Sequence, residues 1–140
     1  MSDSDHPGAT GARPGLPTDQ ELVMRVMPQP MNLNGNGAIF GGWIMSQVDI
    51  AGAVLPARVS RGRVTTVAVN QFVFKQPVSV NDLLSFYATI KRIGNTSITV
   101  LVEVWAERNP AAPQVVKVTE AELTFVAIDE QGRPRPVPQA

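Results

Sequence analysis

The chain contains no cysteine and one histidine, His6. Without cysteine there is no thiol nucleophile, no Cys-ligated zinc and no disulfide frame, which suits the reducing cytoplasm. His6 stands in MSDSDHPGATGARPGLP, a stretch of small, polar and Pro/Gly residues. A core formed by the rest of the chain therefore has no histidine for a His-dependent triad, a His–carboxylate dehydratase site or a His-based metal centre. Neither charge sign is in excess: Lys+Arg 12 against Asp+Glu 12 gives a net charge of zero. That removes the bulk electrostatic case for nucleic acid as a partner. The N-terminus lacks the apolar run of a secretory signal. The longest apolar stretch, Ala38 to Leu55, is interrupted by Ser46, Gln47 and Asp49, so no membrane span is expected.

What is present describes one domain. A chain of 140 residues, 44% hydrophobic and 17% charged, buries a core without staples. Residues 1–18 are rich in Pro, Gly, Asp and Ser and are expected to be a disordered tail. Residues 19–131 form the domain, and 132–140 are expected to be a Pro-rich, extended C-terminal tail. There is no internal repeat.

Within the domain, Glu21–Met27 predicts a short strand and Met31–Gly37 (MNLNGNG) a loop. Phe40–Leu55 predicts a long helix that Pro56 ends or kinks. Four runs rich in Val, Thr, Ile, Phe and Tyr predict strands: Arg63–Lys75, Leu83–Ile93, Thr96–Glu107 and Gln114–Ile128. Alternation points Ile98, Val100, Val102 and Val104 to one face. Asn81-Asp82 and Gly94-Asn95 predict tight turns between antiparallel strands. A sheet of that length needs its apolar face covered, and the only helix available is apolar nearly all round, which predicts burial. The expected class is α+β: a curved antiparallel sheet wrapped around one long central helix, the hotdog arrangement.

Candidate chemistry concentrates on that helix. Asp49 is the only carboxylate between Val23 and Asn81. An unpaired buried acid is costly, and carboxylates in apolar surroundings are groups that enzymes use as base or nucleophile. A structural bond to a backbone amide or to a partner chain accounts for such a residue as well. Met45, Gly52 and Ala53 stack on its face and are small or flexible, leaving room for a ligand or another helix. At the helix start, Gly41-Gly42 offers unpaired N–H groups that favour negative charge and allows a carbonyl to approach, an oxyanion site in prospect. A tight turn under crossing strands is the plainer use of the glycines. Gly42 and Asp49 lie two turns apart, roughly 10 Å along a helix. One carbonyl reaches both only if they come from different protomers, as in a two-fold dimer with antiparallel helices.

The segment Asn34–Asp49, N-x-x-G-x-I-F-G-G-W-I-M-S-Q-V-D, closely resembles the YciA-type acyl-CoA thioesterases, hotdog proteins related to the brain acyl-CoA hydrolases. The resemblance runs from about Leu22 to Pro136. It continues through Gly62-Arg63-Val64, Pro77–Asp82, Gly94–Ser97, Glu103-Val104-Trp105, Thr119-Glu120-Ala121 and Phe125–Asp129. It implies hydrolysis of acyl-CoA to free acid and CoA without a cofactor, coenzyme A being part of the substrate. It also implies Asp49 as the catalytic carboxylate, Asn34 positioning thioester or water, and Gly42 as the carbonyl-polarising donor. Asn34 and Asp49 of one site then come from different protomers of a homodimer, within a hexameric trimer of dimers. Ala38 stands where relatives often carry Asp, and Asn81 where they carry Gly; neither removes a proposed catalytic group.

CoA phosphates call for cations. Residues 22–102 hold seven basic side chains against two acidic ones. Gly41, Arg61, Arg63, Arg92, Thr96 and Ser97 are the expected substrate and CoA contacts, and solvated turn charges account equally well for each of the cations taken singly. Trp43 and Trp105 are expected in the core or an interface, with an acyl-pocket wall the lesser option, Phe72 and Phe74 in the core, and Thr119-Glu120 at an interface. Two rival functions are a hotdog hydratase or dehydratase, disfavoured by the lack of histidine, and a non-catalytic acyl-CoA-binding hotdog protein.

Overall fold

The computed structural model describes residues 15–139, so His6 and most of the expected N-terminal tail lie outside the described residues. In chain order the elements are β1 (Glu21–Val26), a 3-10 turn (Pro30–Asn32), α1 (Gly41–Gly52), α2 (Val54–Ser60), β2 (Val64–Phe74), β3 (Leu83–Ile93), β4 (Ser97–Arg108) and β5 (Gln114–Ala127). The strands form one sheet in the order β1-β3-β4-β5-β2, every neighbouring pair antiparallel.

Alternation sets the two faces of this sheet. Ile98, Val100, Val102, Val104 and Ala106 on β4 are buried, as are Ala121, Leu123, Phe125 and Ala127 on β5 and Leu84, Phe86 and Ala88 on β3. Ile44, Val48 and Ala51 of α1 pack with them in one cluster. Each Val, Ile or Phe side chain taken from water contributes about 1.5–3 kcal/mol, so this inner face holds α1 on the sheet. Gly52 marks the closest approach: a Cβ there would lie 3.3 Å from Phe125 Cζ and 3.4 Å from Val102 Cγ2. Its small size therefore serves helix–sheet packing rather than space beside Asp49.

The long helix is bent. Pro56 lacks an N–H and its ring crowds the carbonyl four residues back, that of Gly52, where α1 ends. The chain does not stop there. Pro56 sits in the first turn of α2, where a missing N–H costs little, and helix continues to Ser60.

Asn81-Asp82 is not a hairpin turn. β2 pairs with β5 and β3 with β1 and β4, so residues 75–82 cross the sheet end from one edge region to the other. A sequence of two strands and a turn fits either connection; the pairing partners decide. Asp82, 2% exposed, accepts from Ser79 N–H at 2.9 Å and Arg108 Nη2 at 2.8 Å and pins the crossover. Gly94-Asn95 does join neighbours, with Gly94 N–H donating to Ser97 O at 2.7 Å.

The C-terminal residues, expected to be a tail, fold back onto the domain. Gly132 takes a left-handed φ of 81°, and Ile128 bridges Pro134. Arg135 N–H donates to Ala127 O at 2.9 Å and Val137 N–H to Asn95 O at 2.7 Å. Val137 is 2% exposed and joins the core. Proline content blocks ladder donors at Pro134, Pro136 and Pro138 only, leaving Arg135 and Val137 free to pair. At the other end Leu16, within the stretch expected to be disordered, is buried.

Candidate active site

Asn34, Gly41 and Gly42 belong to one small unit ahead of the helix. Leu33 bridges Ile39, and Asn34 N–H donates to Ala38 O at 2.8 Å. The Asn34 side chain caps its own turn: Asn36 N–H and Ala38 N–H donate to Oδ1 at 2.8 and 3.2 Å. Two donors converging on one amide atom require that atom to be the oxygen. The Asn34 Nδ2 group is thereby left as an outward donor with no partner among the described residues.

The helix start supplies two more donors. Trp43 and Ile44 N–H both donate to Phe40 O, at 3.0 and 3.3 Å, and Phe40 N–H to Asn32 O. Gly41 and Gly42 N–H reach no acceptor among the described residues, as first-turn amides do. A Cβ on Gly42 would sit 2.8 Å from Phe40 Cε2, so glycine here accommodates the Phe40 ring and keeps the amide open.

Asp49 is not buried within one chain. Five strands cover one side of α1 only, and Gly42, Met45, Ser46, Asp49 and Ile50 face outward. Thr66 Oγ1, on β2, donates to Asp49 Oδ1. Oδ2 has no hydrogen bond among the described residues. Thr66 escaped the sequence reading because it is one of several threonines in a strand; only the pairing of β2 beside α1 singles it out.

Apart from Gly41, the expected CoA contacts lie towards the opposite end of the helix. Arg61 ends α2 in the left-handed conformation, φ 58°, a geometry usually given to glycine. It borders one cavity with Arg58, Ile93 and Pro138 and a second with Arg63, Glu130 and Arg135. Arg58 is ion-paired with Glu21. Arg63 Nη1 donates to Glu130 O at 3.5 Å. Thr96 O accepts from Ala127 N–H, and Ser97 O closes the β3–β4 turn, while Arg92 is exposed near the end of β3. Arg135 was not foreseen: it donates to Ile128 O and Ser60 O, each at 2.9 Å, and braces Gly62 between the two candidate arginines. Asp49 therefore lies on the arginine side of Gly42, and the described chain does not bring Asp49 together with Asn34 and Gly42.

Elsewhere, the outer sheet face holds Glu103, Lys117 and Glu120. Lys117 Nζ lies 3.2 Å from Glu103 and also pairs with Glu120, and Trp105 Nε1 donates to Glu103 at 3.1 Å. Burial opposes the charge on Glu103, but bonds from Trp105, Gln20 and Lys117 outweigh it and hold its carboxyl below the ordinary value of 4.5. Burial likewise opposes Lys117, and its two carboxylates hold its proton above the ordinary 10.5. Among the described residues no group of His, Cys, Asp and Glu gathers as a metal site, and no helix is long and apolar enough to cross a membrane.

One bent helix on a five-stranded antiparallel sheet, with open amides at the helix start and a carboxylate two turns on, defines a hotdog protein of the thioesterase kind. Residues 36–112 match the family model described as the thioesterase superfamily, and the chain belongs to that family. It is 46% identical over 120 residues to the acyl-CoA thioester hydrolase YciA of Salmonella typhimurium, covering 84% of this chain and 90% of that protein. Among solved structures it is similar to the hexameric thioesterase y2039 from Yersinia pestis, with TM-score 0.82, 43% identity and coverage of 89% of this chain and 100% of that one. It is likewise similar to HI0827, a hexameric broad specificity acyl-coenzyme A thioesterase, with TM-score 0.82, 41% identity and coverage of 89% and 86%.

Proposed function

We propose that this protein hydrolyses acyl-CoA thioesters to the free acid and CoA, at sites shared between two protomers. The observation that carries the reading is the pair of Gly41 and Gly42 amides at the helix start, unpaired among the described residues. In the proposed reaction the thioester carbonyl oxygen rests on Gly42 N–H, with Asn34 Nδ2 donating to that oxygen or to the water. Asp49 of the other protomer either takes a proton from the attacking water or attacks the carbonyl carbon itself to give an anhydride, which water then opens. In both routes the C–S bond breaks, CoA leaves as thiolate and is protonated, and negative charge on the former carbonyl oxygen is stabilised by the amides. No cofactor enters this chemistry. Arg61, Arg63, Arg92, Thr96 and Ser97 are proposed to contact CoA.

The two-protomer site is supported by what one chain leaves uncovered. Phe40 and Ile50 are 57% and 58% exposed, and Met45, Val67, Val69 and Phe74 are also exposed. β2 is a long edge strand with an unpaired outer side, a template for another strand. A second copy docking there covers the helix face and brings its own Asp49 towards Gly42. Hexamers among the structural neighbours support assembly of three such dimers, and a CoA-ester substrate supports a cytoplasmic setting.

The direct test is release of free thiol from a panel of acyl-CoAs, with light scattering on the same sample. Thiol release from a particle no smaller than a dimer is expected. Turnover by an isolated monomer overturns the shared site. Hydration of an enoyl-CoA, or binding without turnover, overturns the hydrolase.

A further inference from the structure

Asp82 bonds to none of the proposed catalytic groups among the described residues, yet its hydrogen bonds lead back to them. We infer that Asp82, held by Arg108, is a positioning residue for Asn34 and the Gly41–Gly42 amides, acting through two successive peptide groups. The inference rests on the thioesterase reading above and adds the residue that sets the geometry of its donors.

The relay runs through planar units. Asp82, 2% exposed, accepts from Ser79 N–H at 2.9 Å. That N–H and Val78 O belong to one trans peptide, which is rigid, so fixing its N–H end also aims its C=O end. Val78 O accepts from Ile39 N–H at 3.0 Å. Ile39 N–H shares its own peptide with Ala38 O, which accepts from Asn34 N–H at 2.8 Å. Asn34 thus stands at one end of the line, and the peptide chain runs on from Ile39 through Phe40 to Gly41 and Gly42. No other backbone bond ties residues 33–40 to a distant part of the described chain.

The anchor of this line is stiff. Arg108, the last residue of β4, donates from one nitrogen to Asp82 at 2.8 Å and to Pro77 O at 3.1 Å. The peptide groups on both sides of Val78 are therefore tied to the same ion pair. Arg108 Nε is buried with no partner among the described residues, so the guanidinium gives up solvation on that side to reach the crossover. Val78 and Ile39 join the same core cluster, which keeps the two strips of chain from parting. The donors at the far end have little tolerance: a misplacement on the order of 1 Å costs about 10²-fold in rate.

The test removes the anchor while sparing the fold. Asp82→Leu combined with Arg108→Met leaves no buried charge unpaired, a replacement that interiors accept. A fall in kcat of about tenfold or more, with KM and melting temperature held, is expected. Hydrogen exchange read by mass spectrometry gives a second measure. The Ile39 and Phe40 amides, both bonded in the unaltered protein, should exchange about tenfold faster. Gly94 N–H, bonded at the turn before β4 and so at the end away from Arg108, should keep its rate. Ser79→Pro deletes the N–H that links Asp82 to Val78 and leaves the ion pair in place. The same two changes are expected of it, and it decides the question if the double variant does not fold. Asp82→Asn, which keeps an acceptor for Ser79 N–H, should retain kcat within about threefold. Full kcat in either relay variant, exchange rising equally at Ile39 and Gly94, or a change confined to KM overturns the positioning role. Absence of thiol release by the unaltered protein overturns the thioesterase reading, and the role falls with it; unchanged exchange at Ile39 overturns the relay alone and leaves that reading standing.

Discussion

Asp49 and Glu103 are carboxylates on opposite faces of the same sheet–helix sandwich, and their surroundings differ in kind. Glu103 is enclosed by its own chain, with Trp105, Gln20 and Lys117 supplying donors and charge. Asp49 has one donor, Thr66, an outward oxygen and exposed apolar neighbours. The first is a closed account in which burial and bonding offset each other within one protomer. The second is open, as are Gly41 N–H, Gly42 N–H and Asn34 Nδ2. Polar groups completed within the chain hold structure; those left pointing outward beside uncovered apolar surface are open to solvent, and it is there that a substrate and a second copy are proposed to meet them.

Breaking the open side gives the largest expected effects. Asp49→Asn removes the proposed base or nucleophile and should lower kcat about 10³-fold, within the usual range for such groups. The fold should survive because the side chain is exposed, so unchanged circular dichroism with lost turnover is the expected pair. Near-full activity refutes the role. Asn34→Asp keeps an oxygen to cap the 34–38 turn but removes the Nδ2 donor. A loss of about 10²-fold in kcat at constant melting temperature is expected, comparable to deleting one oxyanion donor. A fall in melting temperature with little change in rate instead makes Asn34 a turn residue only.

Thr66→Val sharpens the contrast by removing the single bond that Asp49 has within its chain. A hydrogen bond to a charged group is worth about 1.5 kcal/mol or more, so roughly tenfold lower kcat is expected, with KM little changed. Thr66→Ser should restore the rate; failure of that rescue points to packing rather than to the hydroxyl.

The smallest effect belongs to the closed side. The carboxyl of Glu103 is held below 4.5 in the fold, so the stability it contributes is present above that pH and is lost as pH falls through the lowered value. Glu103→Gln should flatten the acid limb of an unfolding free-energy profile below pH 4.5 by about 1 kcal/mol or less, leaving turnover intact. Lys117 has the opposite sign: its contribution is present below 10.5 and lost as pH climbs above that value. Loss of activity in Glu103→Gln breaks the division between the two faces.

Much of the fold was legible because its signals are local. β3 runs over Leu83–Ile93 as alternation and β-branched content predict, and the other strands differ by a residue or two at their ends. The open amides at Gly41-Gly42 follow from a glycine pair opening an apolar helix. Other features depend on neighbours distant in sequence. Asn81-Asp82 has the composition of a hairpin turn, yet the pairing of β2 with β5 makes it a crossover. Val137 and Arg135 look like residues of a proline tail, yet Asn95, Ser60 and Ile128 supply their partners.

Asp49 carries the same lesson. Period and composition determined that it lies on the long helix over the sheet, two turns beyond the glycines, because side-chain spacing along a helix is set by the chain itself. Tertiary structure decided which way it faces. The inner sheet face is filled by Ile44, Val48 and Ala51, so Asp49 turns outward to Thr66, a partner seventeen residues away. An apolar helix predicts that something covers it; only the packing of β2 to β5 determines which half this chain covers and which half it leaves exposed.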